Sequence, residues 1–186
     1  PPVESTAFIR PLDAITAEDA VFAGSKAANL GELVAAGLPV PLGFAVTAAA
    51  FRAFADAAQL EEVLHRHLVS LNVDDPERLS AVSSRIAKII GSAALPKALD
   101  AEFRQAYAAL GAPAVAVRPS LVTDGIAEPA TSGQLTSQLN VQGVDAALAA
   151  VKACWASLFD ERSLFFRAHQ QVDHLHAAVA VVVQRM

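Results

Sequence analysis

The stretch Leu38-Pro39-Val40-Pro41-Leu42-Gly43-Phe44-Ala45-Val46-Thr47 sets the architecture of the first half of the chain. Two prolines around Val40 fix φ, remove backbone donors and restrain the residues before them, so this passage is extended and blocks helix. Upstream, Ser25 is placed to cap a helix that carries Leu30, Leu33 and Val34 and that Gly37 closes. Downstream, Phe44 to Val46 reads as a strand, and Thr47 stands where the next helix needs its cap, ahead of Phe51 and Phe54. Helix, extended passage, strand and helix in succession imply an α+β (mixed α/β) chain with a mixed sheet flanked by helices.

The same periodicities continue outward. Ala7 to Leu12 is a short apolar stretch, followed by a polar turn through Thr16 and Asp19. Val82, Ile86, Ile89 and Ile90 recur at helical spacing, as do Leu99, Phe103, Tyr107 and Leu110, with Pro96 opening and Gly111 closing the second helix. Ala114 to Val117 reads as a compact strand with Arg118 at its end. Pro119 to Ser137 is rich in Ser, Thr, Gly, Pro and Asp, a long functional loop or hairpin between strong elements. Ser137 to Val141 is a strand, and Leu148, Val151, Trp155, Leu158 and Phe159 share one helical face. A shorter helix around Arg162 to His169 precedes Ala177 to Val183, a strand apolar on both faces. Residues 1–112 are thus rich in helix, and 113–186 run strand, loop and helix.

The chain has 186 residues, 54% of them hydrophobic and 18% charged, enough for a large core. A net charge of -5 without a basic stripe argues against nucleic acid. A lone cysteine, Cys154, excludes a disulfide framework and fits a reducing cytoplasm, and beside Trp155 it reads as a buried small hydrophobe. No signal peptide is visible, and the longest apolar run is too short to span a bilayer. The chain starts without methionine and stops at Met186 directly after a strand, which suggests a piece of something longer.

Four places carry candidate chemistry. In Gly24-Ser25-Lys26 a lysine sits in the first turn of a helix, disfavoured by the dipole unless an anion is present. Phosphate fits there; a solvated lysine near a cap is the plainer reading, and the glycine spacing is not that of a P-loop. Arg118 can clamp two phosphate oxygens, or it can pair with Asp124 or Glu128. Thr131-Ser132-Gly133-Gln134-Leu135-Thr136-Ser137 allows close backbone approach to a ligand, although such loops are common. Gln184 can read an adenine edge or be an ordinary strand-end amide. His65 and His67 point to different helix faces, His174 and His176 lack supporting ligands, and no catalytic triad or metal site emerges.

Together these pieces resemble the opening domain of phosphoenolpyruvate synthases, pyruvate phosphate dikinases and rifampicin phosphotransferases. Gly24 to Leu33 (GSKAANLGEL) is similar to their GGKAANLGEL-type segment, and Ala36 to Thr47 (AGLPVPLGFAVT) to their AGLPVPPGFAVT. Ala116-Val117-Arg118 resembles a VRSSA strand end, and Gly133-Gln134 through Leu139-Asn140-Val141 a SFAGQQ-x-T-x-LNV segment. Cys154 to Phe159 matches CWASLF, Phe166-Arg167 stands for YR, Asp173-His174 for DH, and Val183 to Met186 for VQxM.

The resemblance implies that residues 1–186 form the N-terminal lobe of an ATP-grasp nucleotide-binding domain within a longer multidomain chain. By position, Lys26 and Arg118 would contact the ATP phosphates, Gly133 and Ser137 would line the phosphate loop, and Gln184 would reach the base or the hinge beside it. Magnesium, a second ATP-grasp lobe and a phospho-carrier histidine domain would come from outside these residues. The parent would pass phosphate from ATP through that histidine to pyruvate or to a rifamycin-type hydroxyl, and this lobe alone would not complete the transfer. The paired serines after the arginine are here Pro119 and Ser120, the acidic pair survives only as Asp124, and the SFAG serine and phenylalanine are Ala130 and Thr131. A divergent phosphate loop on a kept scaffold also fits a non-catalytic nucleotide-sensing or interaction module.

Overall fold

A computed structural model describes residues 7–111, 114–122, 136–170 and 178–186. The strands are β1 (Ile9–Pro11), β2 (Gly43–Val46), β3 (Val115–Leu121), β4 (Gln138–Val141) and β5 (Val179–Arg185). The helices are α1 (Ala20–Ala35), α2 (Ala48–Ala57), α3 (Leu60–Leu68), α4 (Pro76–Ser92), α5 (Lys97–Ala109), α6 (Val144–Ala156) and α7 (Glu161–His169). Among the described residues the strands form one sheet in the order β1-β2-β5-β3-β4.

The α+β class is observed, but every described strand pair is antiparallel where a mixed sheet was expected. Periodicity identifies a helix between two strands without saying in which direction the chain re-enters the sheet, and that direction decides the ladder. The last strand in sequence takes the central place, and every residue from Val179 to Gln184 is buried. The helix-rich first part supplies β1 and β2, the second part supplies the other three strands, and the β2–β5 ladder joins them in one sheet.

Alternation splits the sheet into two unlike faces. One face carries Phe44, Val46, Val115, Val117, Val179, Val181 and Val183, and packs against Phe51, Phe54, Ile86, Phe103 and Trp155 from α2, α4, α5 and α6 in the main core. Trp155 stacks on Phe54 at 4.8 Å between ring centroids. The other face carries Ala45 and Val182 and is covered by α1, whose Ala23 and Ala27 join Leu12, Ile15 and Phe22 in a smaller core. Small residues let α1 lie close: a Cβ on Gly31 would stand 2.1 Å from the carbonyl oxygen of Ile15.

Local chemistry marks several element ends. Thr47 Oγ1 accepts from Ala50 N and opens α2. After α1, Gly37 N donates to Val34 O and Leu38 N to Leu33 O, the paired closure of a Schellman end. Asp75 and Asp160 cap α4 and α7. No helix among the described residues is long and apolar enough to cross a membrane.

Candidate nucleotide site

The α1 face of the sheet holds three of the five candidate residues. Ala116, Arg118 and Ser120 lie at alternate positions of β3, opposite Gln184, Val182 and Ala180 of β5. Val182 belongs to the core beneath α1, so Arg118 and Gln184, in register with that face, stand on the side where α1 carries Lys26. Arg118 does not end the strand as expected: β3 continues through Pro119 and Ser120 to Leu121.

Pro119 is tolerated there for a geometric reason. Met186 N donates to Ala114 O, so by alternation the even-numbered residues of β3 exchange hydrogen bonds with β5 and the odd-numbered ones face β4. Among the described residues the β4 ladder pairs Val115 and Val117 and no residue beyond, so there a proline at 119 removes no ladder bond. Its carbonyl oxygen is taken instead by the Lys26 ammonium, at 3.2 Å.

Helix α1 is broken at Gly24, with φ 80° and ψ 160°, and its regular part starts at Ser25. The cap is not Ser25. Ser120 Oγ accepts from Lys26 N at 3.1 Å and from Ala27 N at 3.3 Å, bridging 94 and 93 residues of sequence. The backbone donors that the sequence offered to a phosphate are therefore engaged by a side chain of β3. The ammonium keeps donors beyond the one given to Pro119.

The electrostatics of this corner are cationic. Burial, then the nearby Arg118 guanidinium, hold the Lys26 ammonium below its ordinary range, while Cys154 acts in the opposite sense. No ion pair among the described residues includes Lys26 or Arg118; Asp124 and Glu128, the partners weighed for Arg118, lie outside the described residues, as does Gly133. Ser137 is exposed, one residue before β4, whose Gln138 pairs with Val117. Gln184 is buried and donates to Pro41 O at 3.2 Å, tying β5 to the proline passage and engaging one of its amide hydrogens.

Two further residues matter and were not singled out by chemistry in the sequence. Ser120 is one; its partners are too distant in sequence for any local pattern to show them. Arg167 is the other: buried, it donates to Leu158 O and lies 5.8 Å from the Phe159 ring centre, and burial lowers its guanidinium to about 10. Its packing on the turn Ser157–Phe159 gives the CWASLF and YR segments a shared structural role. Cys154 is buried as expected, its thiol pushed up to about 12 by burial. No group of histidine, cysteine and acidic residues among the described ones is arranged to hold a metal. A cleft of about 330 Å³ between α4, α5 and α6 is lined by none of the candidate residues, and its Arg104 is engaged with Asp100 and Asp145.

Residues 21–186 match the family model described as pyruvate phosphate dikinase, AMP/ATP-binding domain. The chain is 37% identical to a probable phosphoenolpyruvate synthase of Staphylothermus marinus, over 96% of this chain and 22% of that protein. It is 38% identical to the phosphoenolpyruvate synthase of Pseudomonas aeruginosa, over 96% of this chain and 24% of that protein. For the Escherichia coli phosphoenolpyruvate synthase the identity is 37%, covering 88% of this chain and 22% of that protein. The chain thus spans about a quarter or less of these relatives' length. Over nearly all of its own length it belongs to the AMP/ATP-binding domain family of pyruvate phosphate dikinase.

Proposed function

We propose that this chain is the ATP-binding lobe of a phosphotransferase of the phosphoenolpyruvate synthase type, with Lys26 and Arg118 as its phosphate contacts. One observation carries the reading: two cations converge on one corner with no carboxylate paired to either among the described residues. Like charges brought together raise each other's free energy, and a polyanion relieves that cost. Gly133 and Ser137 would line the phosphates, Ser137 from just before the strand residue that pairs with Val117. Gln184 would meet the base side, four residues along β5 from the level of Ser120, or about 13 Å at strand rise.

Magnesium would accompany the ATP, held mainly by residues of a second lobe. Phosphate would then pass to a carrier histidine elsewhere in a longer chain and on to an acceptor such as pyruvate or a rifamycin-type hydroxyl. Within that scheme this lobe contributes positioning and charge neutralisation. A cytoplasmic setting fits the single buried thiol.

A second reading draws on a specific observation. Ser120 and Pro119 already take donors from Lys26 and Ala27, as a non-catalytic nucleotide-sensing or interaction module would tolerate. Calorimetric titration with ATP and magnesium separates the two, using the chain alone and the chain followed by the second lobe of a phosphoenolpyruvate synthase. Lys26→Ala and Arg118→Ala are each expected to weaken binding about tenfold or more, the loss of a charge-assisted contact. Absence of binding in both forms would sink the first reading, and unchanged affinity in either variant would refute that residue's role.

A further inference from the structure

We propose that Ser120 is a positioning residue for Lys26: its hydroxyl ties the start of α1 to β3 and so holds the lysine ammonium beside Arg118. The inference rests on the nucleotide reading above for what Lys26 is held to meet, and on independent geometry for how it is held. Three contacts converge within a few residues. Ser120 Oγ accepts from the amides of Lys26 and Ala27, Lys26 Nζ donates to the carbonyl oxygen of Pro119, and Gly24 lets the two backbones touch. A Cβ on Gly24 would stand 2.3 Å from Ser120 Oγ and 2.5 Å from Ser120 O.

A lysine has four side-chain torsions, and its ammonium wanders unless its own backbone is fixed. Here backbone and ammonium are both tethered to consecutive residues of one strand, and the residue before them is Arg118. Ser120 is 1% exposed, so water does not compete for the hydroxyl. The bridge spans two elements that meet only in the folded chain, which fixes the separation of two cations that would otherwise move apart.

The role acts through Lys26, and a double-mutant cycle reads it. With MgATP as probe on the ATP-competent form, Ser120→Ala should weaken affinity about tenfold, and the same change in a Lys26→Ala background should have little further effect. Ser120→Thr keeps the hydroxyl and should retain most of the affinity. Ser120→Cys keeps the size, gives up most of the acceptor strength, and should behave like alanine, so the pair reports even if alanine does not fold. In parallel, the pH midpoint for acetylation of Lys26 by acetic anhydride, read by mass spectrometry, should rise toward the ordinary 10.5 in Ser120→Ala as burial beside Arg118 is lost. Additive effects in the cycle, or an unmoved midpoint, would overturn the proposal. If the unaltered protein binds no ATP while the midpoint still moves, the nucleotide reading falls and the tether stands.

Discussion

Gly24 shows how one residue can be set by a partner far along the chain. Its φ of 80° belongs to a region that side chains disfavour, and the space a side chain would need is filled by Ser120 backbone. Gly24→Ala is therefore expected to destabilise by about 2 kcal/mol or more, from strain and overlap together. Urea unfolding checks this; a loss below about 0.5 kcal/mol, the scale of an ordinary surface change, would show that the backbones separate freely. The lysine and arginine of the candidate site could be picked from the sequence because their placement beside a helix start and a strand is local. Ser120 could not, since its two acceptor contacts cross more than ninety residues. Pro119, which replaces a serine of the related segment, lies within a strand and offers its carbonyl to Lys26.

At the scale of elements, boundaries marked by local chemistry were readable and those set by pairing were not. Thr47 is the clearest case of the first kind. Its hydroxyl accepts from Ala50 N and donates to Ala7 O at 2.8 Å, so it joins the start of α2 to the segment entering β1. Thr47→Val keeps the shape but takes the hydroxyl donor from Ala7 O and leaves Ala50 N only its 3.1 Å bond to Thr47 O, at about 1–3 kcal/mol. For a chain of this size that corresponds to a fall in Tm of about 2–4 °C per kcal/mol, and an unchanged Tm would remove the cap from the account. β3 is of the second kind, whereas β4 falls within one residue of the stretch expected for it. β3 runs past Arg118 because β5 continues beside it, and β4 meets β3 across an irregular register between Val115 and Val117. Asn140, with φ 55°, sits in that irregularity, a conformation asparagine tolerates better than most residues. The CWASLF segment proves to be packing: Cys154, Trp155, Leu158 and Phe159 are all in the main core.

Across the whole molecule, stability should carry a pH signature from the buried thiol. Its ordinary value is 9.0 and its folded value about 12. Below 9.0 both folded and unfolded chains keep the proton, so no dependence arises. Above 9.0 the unfolded chain ionises while the folded one does not, so stability declines as pH rises and levels off only past about 12. Cys154→Ala removes this term and leaves a pH-independent packing cost. Urea unfolding under reducing conditions between about pH 8 and 11 should therefore show the unaltered protein losing stability faster than the variant over that alkaline window. Parallel curves would show that Cys154 is open to solvent or that its charge is met by Lys26.

The sequence by itself determined the elements and most of the inward-facing side chains, because periodicity, caps and proline geometry act over a few residues. Phe51, Phe54, Ile86, Phe103 and Trp155 were identifiable as core from spacing alone, and all are buried. It also indicated the family, through short segments in a fixed order. Only the tertiary structure decided that the last strand lies at the centre of an antiparallel sheet, that Lys26, Arg118 and Gln184 share one side of it, and that Ser120 caps α1. Strand direction, register and long-range caps depend on which segments meet after the chain has closed its loops, and no local propensity encodes that meeting.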